Sequence, residues 1–331
     1  MSDHLTVEDF DALMAGAVGG DVEGQSAVAV GVSGGPDSMA LLKLMSDSIE
    51  GVALHALIID HGLRDDSAEE AQQVLERIEG WNNVQVHILT LEETPERRIQ
   101  EEARRSRYEV MAAHCAAHNI QYLFLGHHMD DQAETFLFRL SKGSGLDGLA
   151  GMRALQAHST GLILVRPLLE VSKDQLVATC AEHNIFYVED PSNSQSKYAR
   201  GRLRAASDIL EQEGLTSKRL AVTARRMARA RAALERLAEN AINKILLEKH
   251  TDRIVLRLSD LRFELDEIGL RVILGAVKML PTGGEYAPRM EKIEHLFFDL
   301  MAPEPFRKRT LGGLVFERDD KNDQIIISLE G

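Results

Sequence analysis

Gly31-Val32-Ser33-Gly34-Gly35-Pro36-Asp37-Ser38 is the stretch of sequence that decides the fold of this chain. The apolar run 27–30 precedes it, and Met39-Ala40-Leu41-Leu42 follows it. This order is typical of a buried strand, a tight turn and the start of a helix. The stretch therefore predicts a strand–turn–helix unit.

The turn is suited to bind phosphate. Two adjacent glycines allow backbone conformations in which several amide groups converge on an anion. The hydroxyl groups of Ser33 and Ser38 add donors, and the first turn of the helix adds unpaired N–H groups. The spacing differs from GxxxxGK[ST], because it is shorter and no lysine follows the glycines. An ordinary Gly-Gly-Pro turn without a ligand is the alternative.

A repeating alternation of strands and helices follows. Apolar runs predict strands at 27–32, 53–59, 84–89, 122–125 and 162–165, and helical patterns are found at 37–45, 67–79, 95–118 and 130–140. Runs that are apolar throughout are typical of strands buried on both faces. We therefore predict an α/β fold with a doubly wound parallel sheet.

Polar residues cluster where the predicted strands end. The second strand leads into Asp60-His61-Gly62-Leu63-Arg64, and the fourth leads into Gly126-His127-His128-Met129-Asp130-Asp131. Ligands of such sheets bind beyond the carboxyl ends of the strands. We expect both segments to face the same crevice as the glycine turn.

The helix predicted at 95–118 has Arg104, Arg107, Tyr108 and Met111 on one side, at i, i+3, i+4 and i+7 spacing. Arginines at this spacing can hold a carboxylate or a phosphate. A solvated face paired with neighbouring glutamates is the equally weighted alternative.

Asp131 and Glu134 are three residues apart and therefore share a helix face. They complement the dipole of a helix start, or they hold Mg²⁺ or a cationic substrate group. His127 and His128 lack a third ligand at suitable spacing, which disfavours zinc at this point. The glycine-rich segment 142–152 is either a lid beside the nucleotide site or a connector.

Composition limits the possible classes of protein. The 331 residues carry a net charge of −14, and 44% of them are hydrophobic, as in a globular protein of two domains or of three small ones. We find neither a run of about 18 apolar residues nor a leader peptide, so we expect a cytoplasmic protein without a membrane span. Cys115 and Cys180 are far apart, which favours free thiols over a disulfide, zinc or iron–sulfur site.

The charge is uneven along the chain. Residues 197–236 contain eleven Lys/Arg and four Asp/Glu, a local charge of +7. Such a segment is a solvated helix face or the contact surface for a polyanion. Near 206–215 the strand–helix alternation gives way to helical periodicity over 217–250, followed by a mixed α/β piece. We predict three parts: an N-terminal helix (1–25), a nucleotide-binding domain (26–208) and a helical and mixed α/β domain (209–331).

Taken together, these motifs resemble those of the tRNA(Ile)-lysidine synthetases, a family within the PP-loop, or N-type ATP pyrophosphatase, superfamily. The resemblance rests on Ser33-Gly34-Gly35-Pro36-Asp37-Ser38, Asp60-His61-Gly62-Leu63-Arg64, Ala103-Arg104-Arg105-Ser106-Arg107-Tyr108, Gly126-His127-His128-Met129-Asp130-Asp131-Gln132-Ala133-Glu134-Thr135, the glycine segment 143–152 and Arg166-Pro167-Leu168-Leu169. It runs in order from about residue 28 to 204 and is weaker in the C-terminal third.

The resemblance implies an enzyme that uses ATP and Mg²⁺ to join L-lysine to the wobble cytidine of tRNA(Ile) with a CAU anticodon. It implies that Asp37, His127 and Asp131 are catalytic and that Arg107, Asp131 and Glu134 bind lysine, with Asp37 near the metal. The implied ATP site comprises Ser33, Gly34, Gly35, Pro36, Asp37, Ser38, Asp60, His61 and Gly126. The resemblance also implies that tRNA is contacted by Arg219, Arg225, Arg226 and Arg229.

The chain departs in two places from the family pattern SNxDxxxxRNxxR, which follows the last strand of the first domain. The detailed structure of that segment is therefore open. Ser192-Asn193-Ser194-Gln195 lacks the acidic residue, and Arg200-Gly201-Arg202 has glycine in place of asparagine. Alternatives are a PP-loop enzyme that thiolates tRNA, which would call for paired cysteines, and a catalytically inactive nucleotide- or RNA-binding module. The oligomeric state is open, a homodimer included.

Overall fold

A computed structural model of the chain describes residues 4–19, 22, 24–60, 67–91, 99–188, 203, 207–281 and 290–330. The chain divides into two compact units, residues 1–228 and 229–331. The three-part organisation predicted from the sequence stays a prediction.

The first unit alternates strands and helices. Its elements are α1 (Val7–Val18), β1 (Ala27–Val32), α2 (Pro36–Ser48), β2 (Ala53–Asp60), α3 (Ser67–Ile78), β3 (Val84–Thr90), α4 (Ile99–Ala117), β4 (Tyr122–Leu125), α5 (Met129–Leu140), α6 (Leu146–Leu149), β5 (Leu155–Ala157), β6 (Ile163–Val165), α7 (Lys173–Glu182) and α8 (Ser207–Gln212). Helix α9 (Ser217–Ile245) begins in this unit and contains the division between the two.

The six strands form one sheet in the order β3-β2-β1-β4-β6-β5. All neighbours pair in parallel except β5 and β6, which are antiparallel. Strand β1 lies between β2 and β4, so the predicted polar ends of β2 and β4 flank the glycine turn that follows β1. The order of strands reverses at β1, and such a switch point opens a crevice at the carboxyl edge of the sheet.

Helices cover both faces of the sheet. On one face α1, α2, α3 and α7 pack against alternate residues of β1 and β2. On the other face α4 packs through Tyr108, Met111 and Cys115 against Ala29 and Leu57. The predicted doubly wound α/β fold is confirmed.

The second unit has its own apolar core. Its elements after α9 are β7 (Leu246–Lys249), β8 (Arg253–Arg257), α10 (Leu258–Phe263), α11 (Asp266–Lys278), α12 (Met290–Met301), β9 (Arg309–Leu311), β10 (Leu314–Asp319) and β11 (Gln324–Leu329). The strands form an antiparallel sheet in the order β7-β8-β11-β10-β9.

Two predicted elements are wrong. Helix α9 ends at Ile245 rather than at 250, because residues 246–249 pair with β8 as a strand. The sequence of residues 186–193 also predicts a strand that ends in a turn, but residues 186–188 form no strand, and the Val188 amide donates a hydrogen bond to the Gly34 carbonyl (2.9 Å). Residues 189–193, and the first residues of the helices that the sequence predicts at 95–118 and 288–300, lie outside the described residues.

Among the described residues, no helix has both the length and the apolar character needed to cross a membrane.

Candidate functional site

The turn between β1 and α2 has the backbone of an anion site. Gly34 has φ +79°, and a Cβ there would lie 2.5 Å from Val74 Cγ2, so both conformation and space require glycine. The Ser38 hydroxyl accepts from the Ser33 amide (3.1 Å) and donates to the Gly35 carbonyl (3.1 Å), which closes the turn. Helix α2 starts at Gly35 and Pro36 without a capping side chain. Its first amide groups are therefore available to an anion.

Asp37 stands in the first turn of α2 and is held by Lys173 from the first turn of α7. The Lys173 ammonium donates to both carboxylate oxygens of Asp37 at 2.7 Å. Gly126 approaches the same turn, since a Cβ on it would lie 3.0 Å from backbone atoms of Asp37 and Ser38. The end of β4 therefore packs directly against the glycine turn.

His128 lies at the centre of three carboxylates. It is the N-cap of α5, where its backbone amide donates to Asp131 Oδ2 (3.0 Å). Its ring nitrogens lie 3.3 Å from Asp130 Oδ2, 3.5 Å from Asp131 Oδ2 and 3.6 Å from Asp37 Oδ2. Asp130 also accepts a hydrogen bond from the Lys173 backbone amide (3.1 Å). The three carboxylates, His128 and Lys173 form what we call the acidic centre.

The charges in the acidic centre stabilise one another. Burial by itself lowers the pKa of His128, but the hydrogen bond to Asp130 and the charges of Asp131 and Asp37 outweigh burial and raise it. The hydrogen bond from His128 in turn holds the pKa of Asp130 well below its usual range, against the effect of burial. We conclude that His128 carries positive charge here more readily than a free histidine.

His127 has a different environment. Burial lowers its pKa to about 4, with Arg166 and Arg104 acting in the same direction and Asp131 against it. Its ring is therefore neutral at pH 7. Its Nδ1 atom, like Nε of Arg166, is buried and has no hydrogen-bond partner in the described parts of the chain. Buried polar atoms are normally satisfied, so two such atoms at one crevice are consistent with a polar ligand.

The arginine face of α4 borders the same region. The Arg104 guanidinium lies 5.7 Å from the centre of the Tyr108 ring, and its positive charge contributes to the lowered pKa of His127. Arg107 lies beside Arg104 and Tyr108, and burial lowers its pKa. Tyr108 and Met111 are buried, so this side of α4 packs on the sheet rather than forming a solvated face.

The glycine-rich segment is fixed to α5 by one side chain. The buried Gln132 accepts from the Met152 amide (2.7 Å) and donates to the Met152 carbonyl (3.0 Å). Gly151 has φ +68°, and a Cβ there would lie 2.5 Å from Gln132 Oε1. Within the segment, residues Leu146–Leu149 form α6. The segment is thus ordered in this structure, and whether it acts as a lid or as a connector stays a prediction.

The remaining predicted residues divide into several groups. Asp60 ends β2 and accepts from the Ser67 hydroxyl (2.6 Å), whereas His61 lies outside the described residues, as do 62–64, 192–195 and 200–202. Glu134 shares α5 with Asp131, as predicted. Arg219, Arg225, Arg226 and Arg229 are exposed on α9; Arg225 pairs with Glu170 (2.8 Å), and Arg219 donates to the Gly214 carbonyl (3.0 Å).

Three residues of this region were missed by the sequence analysis. Lys173 is 136 positions from Asp37 and offered no local signal. His128 lies just before a predicted helix, but the sequence motifs assigned a role only to its neighbour His127. Arg166 belonged to a quoted motif, and the structure buries it, with Nη1 donating to the Arg153 carbonyl (2.9 Å).

The acidic centre is compatible with a magnesium ion. Its carboxylate oxygens are the ligand type that Mg²⁺ prefers. Asp37 and its neighbours Asp130 and Asp131 supply them, and the adjoining glycine turn would receive the phosphates that the ion accompanies.

The fold and this crevice define the class of protein: a PP-loop ATP-binding protein. The family model described as a PP-loop domain matches residues 7–212. A tRNA(Ile)-lysidine synthase of Methylobacterium nodulans is 37% identical over 290 residues, which cover 87% of this chain and 83% of the relative. One from Wolbachia pipientis is 33% identical and covers 90% of this chain and 70% of the relative. The chain belongs to the tRNA(Ile)-lysidine synthase family.

A solved structure shares the fold at greater distance. The U34-tRNA thiolase of Methanococcus maripaludis, which carries a [4Fe-4S] cluster, matches with a TM-score of 0.55 at 18% identity, over 67% of this chain and 80% of that chain. At this identity the likeness supports the fold alone.

Proposed function

We propose that this chain joins L-lysine to C2 of the wobble cytidine of tRNA(Ile) with a CAU anticodon, with ATP converted to AMP and pyrophosphate. The cytosine C2 oxygen attacks the α-phosphorus of ATP, and pyrophosphate leaves. The side-chain ammonium of lysine loses a proton to solvent, the resulting amine attacks C2, and the bond from C2 to its oxygen breaks as AMP leaves with that oxygen. Family membership gives the reaction, and the structure supplies the residues around which each step is argued.

The observation that carries the proposal is the convergence of three groups at the carboxyl edge of the sheet. The glycine turn offers amides to an anion, the acidic centre offers carboxylates, and His127 and Arg166 offer buried polar atoms without a described partner. A reaction between a nucleotide and a cationic amine requires these types of group close together.

For ATP, residues 33–38 receive the phosphates that become pyrophosphate. Asp37 is positioned by Lys173, and neutral His127 faces the α-phosphate, where its N–H donates as charge develops in the transition state. When bound, Mg²⁺ neutralises phosphate charge. Asp37 is the residue proposed to hold it, with Asp130 and Asp131 in reach.

For lysine, Asp131 and Glu134 accept the ammonium groups and Arg107 holds the carboxylate. Asp131 and Glu134 share one face of α5, which begins at the acidic centre. Arg107 is half-buried on α4 beside Arg104, so its charge is incompletely solvated and available to an anion.

For tRNA, the exposed arginines of α9 contact backbone phosphates. The protein as a whole is acidic, so a local basic surface is needed to bind a polyanion. A cytoplasmic location and a homodimer stay predictions.

The first experiment measures AMP and pyrophosphate release from ATP by the purified chain with tRNA(Ile) bearing CAU, with and without lysine. Nucleosides of the tRNA are then analysed. We expect lysine-dependent formation of lysidine. The Asp37→Asn variant should lose most of its activity. The control is Asp174→Asn, which changes an exposed aspartate next to Lys173 and should retain activity. Turnover that ignores lysine but requires a sulfur donor would refute the proposal in favour of thiolation.

The thiolation alternative is disfavoured by the two cysteines. Cys115 and Cys180 are free and buried, and they belong to apolar clusters on opposite faces of the sheet. Burial raises the pKa of each thiol to about 11, so neither is a ready nucleophile at neutral pH.

The lysine site has its own test. Glu134→Gln removes charge while keeping shape, and we expect the KM for lysine to rise by about tenfold or more with little change in the KM for ATP. The matched control is Glu109→Gln, an exposed glutamate on α4. An unchanged KM for lysine in Glu134→Gln would exclude Glu134 from the lysine site.

A further inference from the structure

Four histidines meet on one face of the parallel sheet, away from the acidic centre. His55 is on β2, His87 is on β3, His114 is in the last turn of α4, and His118 follows the end of that helix. We call this group the histidine cluster. His55 pairs with Gln85, and Leu57 with His87, across the two parallel strands, which places both histidines on the face that α4 covers.

The four rings are close to one another. The His55 and His87 rings stack with centroids 5.0 Å apart, and those of His87 and His114 are 4.4 Å apart. One ring nitrogen from each of His55, His87 and His114 lies within 4.8 Å of the other two. His118 stacks on His114 at 4.2 Å, and its Nδ1 lies 2.9 Å from the His114 carbonyl oxygen.

One pair of nitrogens in the histidine cluster has the spacing that a tetrahedral metal ion requires. Zinc–nitrogen bonds of about 2.0–2.1 Å at tetrahedral angles place ligand nitrogens about 3.3–3.4 Å apart. His55 Nδ1 and His114 Nε2 are 3.3 Å apart and share a hydrogen bond in this structure, so an ion that binds both would take the place of the shared proton. His87 Nε2 is buried and lacks a hydrogen-bond partner among the described residues, so a polar atom is left for a ligand.

We propose that His55, His87 and His114 bind one Zn²⁺ ion, with solvent at the fourth position and His118 orienting the His114 ring. Histidine nitrogens favour zinc and its transition-metal neighbours over Mg²⁺, so the site is chemically distinct from the acidic centre. It joins β2, β3 and the C-terminal half of α4. Because the ion binds the folded chain, it stabilises the fold.

The test titrates the chelator-treated full chain with Co²⁺ as a spectroscopic probe and then displaces it with Zn²⁺. We expect one equivalent of Co²⁺ with visible bands typical of tetrahedral coordination. We also expect Zn²⁺ at about 100 times its Kd to raise the Tm of the unmodified chain by about 5 °C or more, a result that needs no variant.

Variants then locate the ion. His87→Gln and His114→Gln should each lower Zn²⁺ affinity by about 100-fold or more, since loss of a ligand exceeds the 10–100-fold cost of losing a ligand's hydrogen-bond partner. His295→Gln, an exposed histidine on α12, should bind as the unmodified chain does. Circular dichroism checks that the variants fold.

Three outcomes would overturn the proposal: no saturable binding at one equivalent, octahedral bands only, or unchanged affinity in both cluster variants. Loss of the Co²⁺ bands in Asp37→Asn with retention in His114→Gln would place the ion at the acidic centre, which also refutes the proposal.

Discussion

At the scale of the residue, the ion pair between Lys173 and Asp37 is one of the contacts that position the carboxylates of the acidic centre. The Lys173 side chain is 41% exposed and that of Asp37 is 25% exposed, so the solvent screens the pair and its contribution to stability is small. Its importance is positional, because it fixes a carboxylate next to the glycine turn.

Lys173→Met should therefore reduce activity more than stability. We expect kcat/KM for ATP to fall by about tenfold, equivalent to about 1.4 kcal/mol, while the Tm changes little. Lys173→Arg should restore most of the activity, since it keeps a cation near Asp37. Lys278→Met, an exposed lysine on α11, is the control. A Tm that falls in parallel with activity would indicate a structural role instead.

His128 gives a prediction for the dependence of stability on pH. Its pKa is raised in the folded protein, so its contribution to stability is complete below the unfolded value of about 6.5 and is lost as pH rises through the folded value. The unfolding free energy of His128→Gln should fall below that of the unmodified chain at pH 6, and the difference should shrink toward pH 8.5.

Urea denaturation across this pH range measures the difference directly. His295→Gln reports the general effect of removing an exposed histidine. A difference between His128→Gln and the unmodified chain that grows with pH would contradict the assignment of charge to His128.

At the scale of the element, the end of β4 and the start of α2 must approach closely. The two elements meet at Gly126, where the backbone of Asp37 and Ser38 leaves no space for a side chain. This close approach brings the His127–Asp131 segment next to the glycine turn, so the packing of two elements decides the geometry of the crevice.

Gly126→Ala should push these elements apart. We expect the unfolding free energy to fall by about 1–3 kcal/mol and kcat/KM for ATP to decrease. The matched control is Gly16→Ala on α1, where a Cβ meets nothing within 4 Å and a stabilisation of up to about 1 kcal/mol is expected. Equal effects of the two substitutions in denaturation and in the AMP assay would show that the approach at Gly126 is not needed.

At the scale of the whole molecule, the positive charge is concentrated in one segment of an acidic protein. The exposed arginines of α9 lie in a segment of local charge +7, within a chain of net charge −14. Binding that depends on phosphate contacts releases counterions and weakens as salt increases.

We expect the affinity for tRNA to fall steeply with salt concentration. Replacing Arg225, Arg226 and Arg229 together by alanine should reduce the slope of log K against log[salt] by about 2–3, one contact contributing about 0.7–0.9. Lys43→Ala, whose ammonium pairs with Asp47 on α2, is the control. Filter binding at several salt concentrations gives the slopes, and an unchanged slope in the triple variant would remove α9 from the tRNA surface.

Much of the fold could be predicted because its signals are local. Apolar runs marked β1 to β4 and β6 to within about a residue. Thr6 and Asp9 have the spacing of a capping box, which predicts a helix start, and they form that box at the start of α1. The short strands β5, β7 and β9 were missed, because edge strands of three or four residues depend on their partners rather than on their own pattern.

The sequence by itself determined the glycine turn, the alternation that builds a parallel sheet and the motifs of the family, because each depends on residues adjacent in the chain. Only the tertiary structure decided that Lys173 holds Asp37, that His128 lies at the centre of three carboxylates, and that His55, His87 and His114 meet on one face of the sheet. The physical reason is distance along the chain: these contacts join residues on different elements, and only strand order and helix packing bring them together.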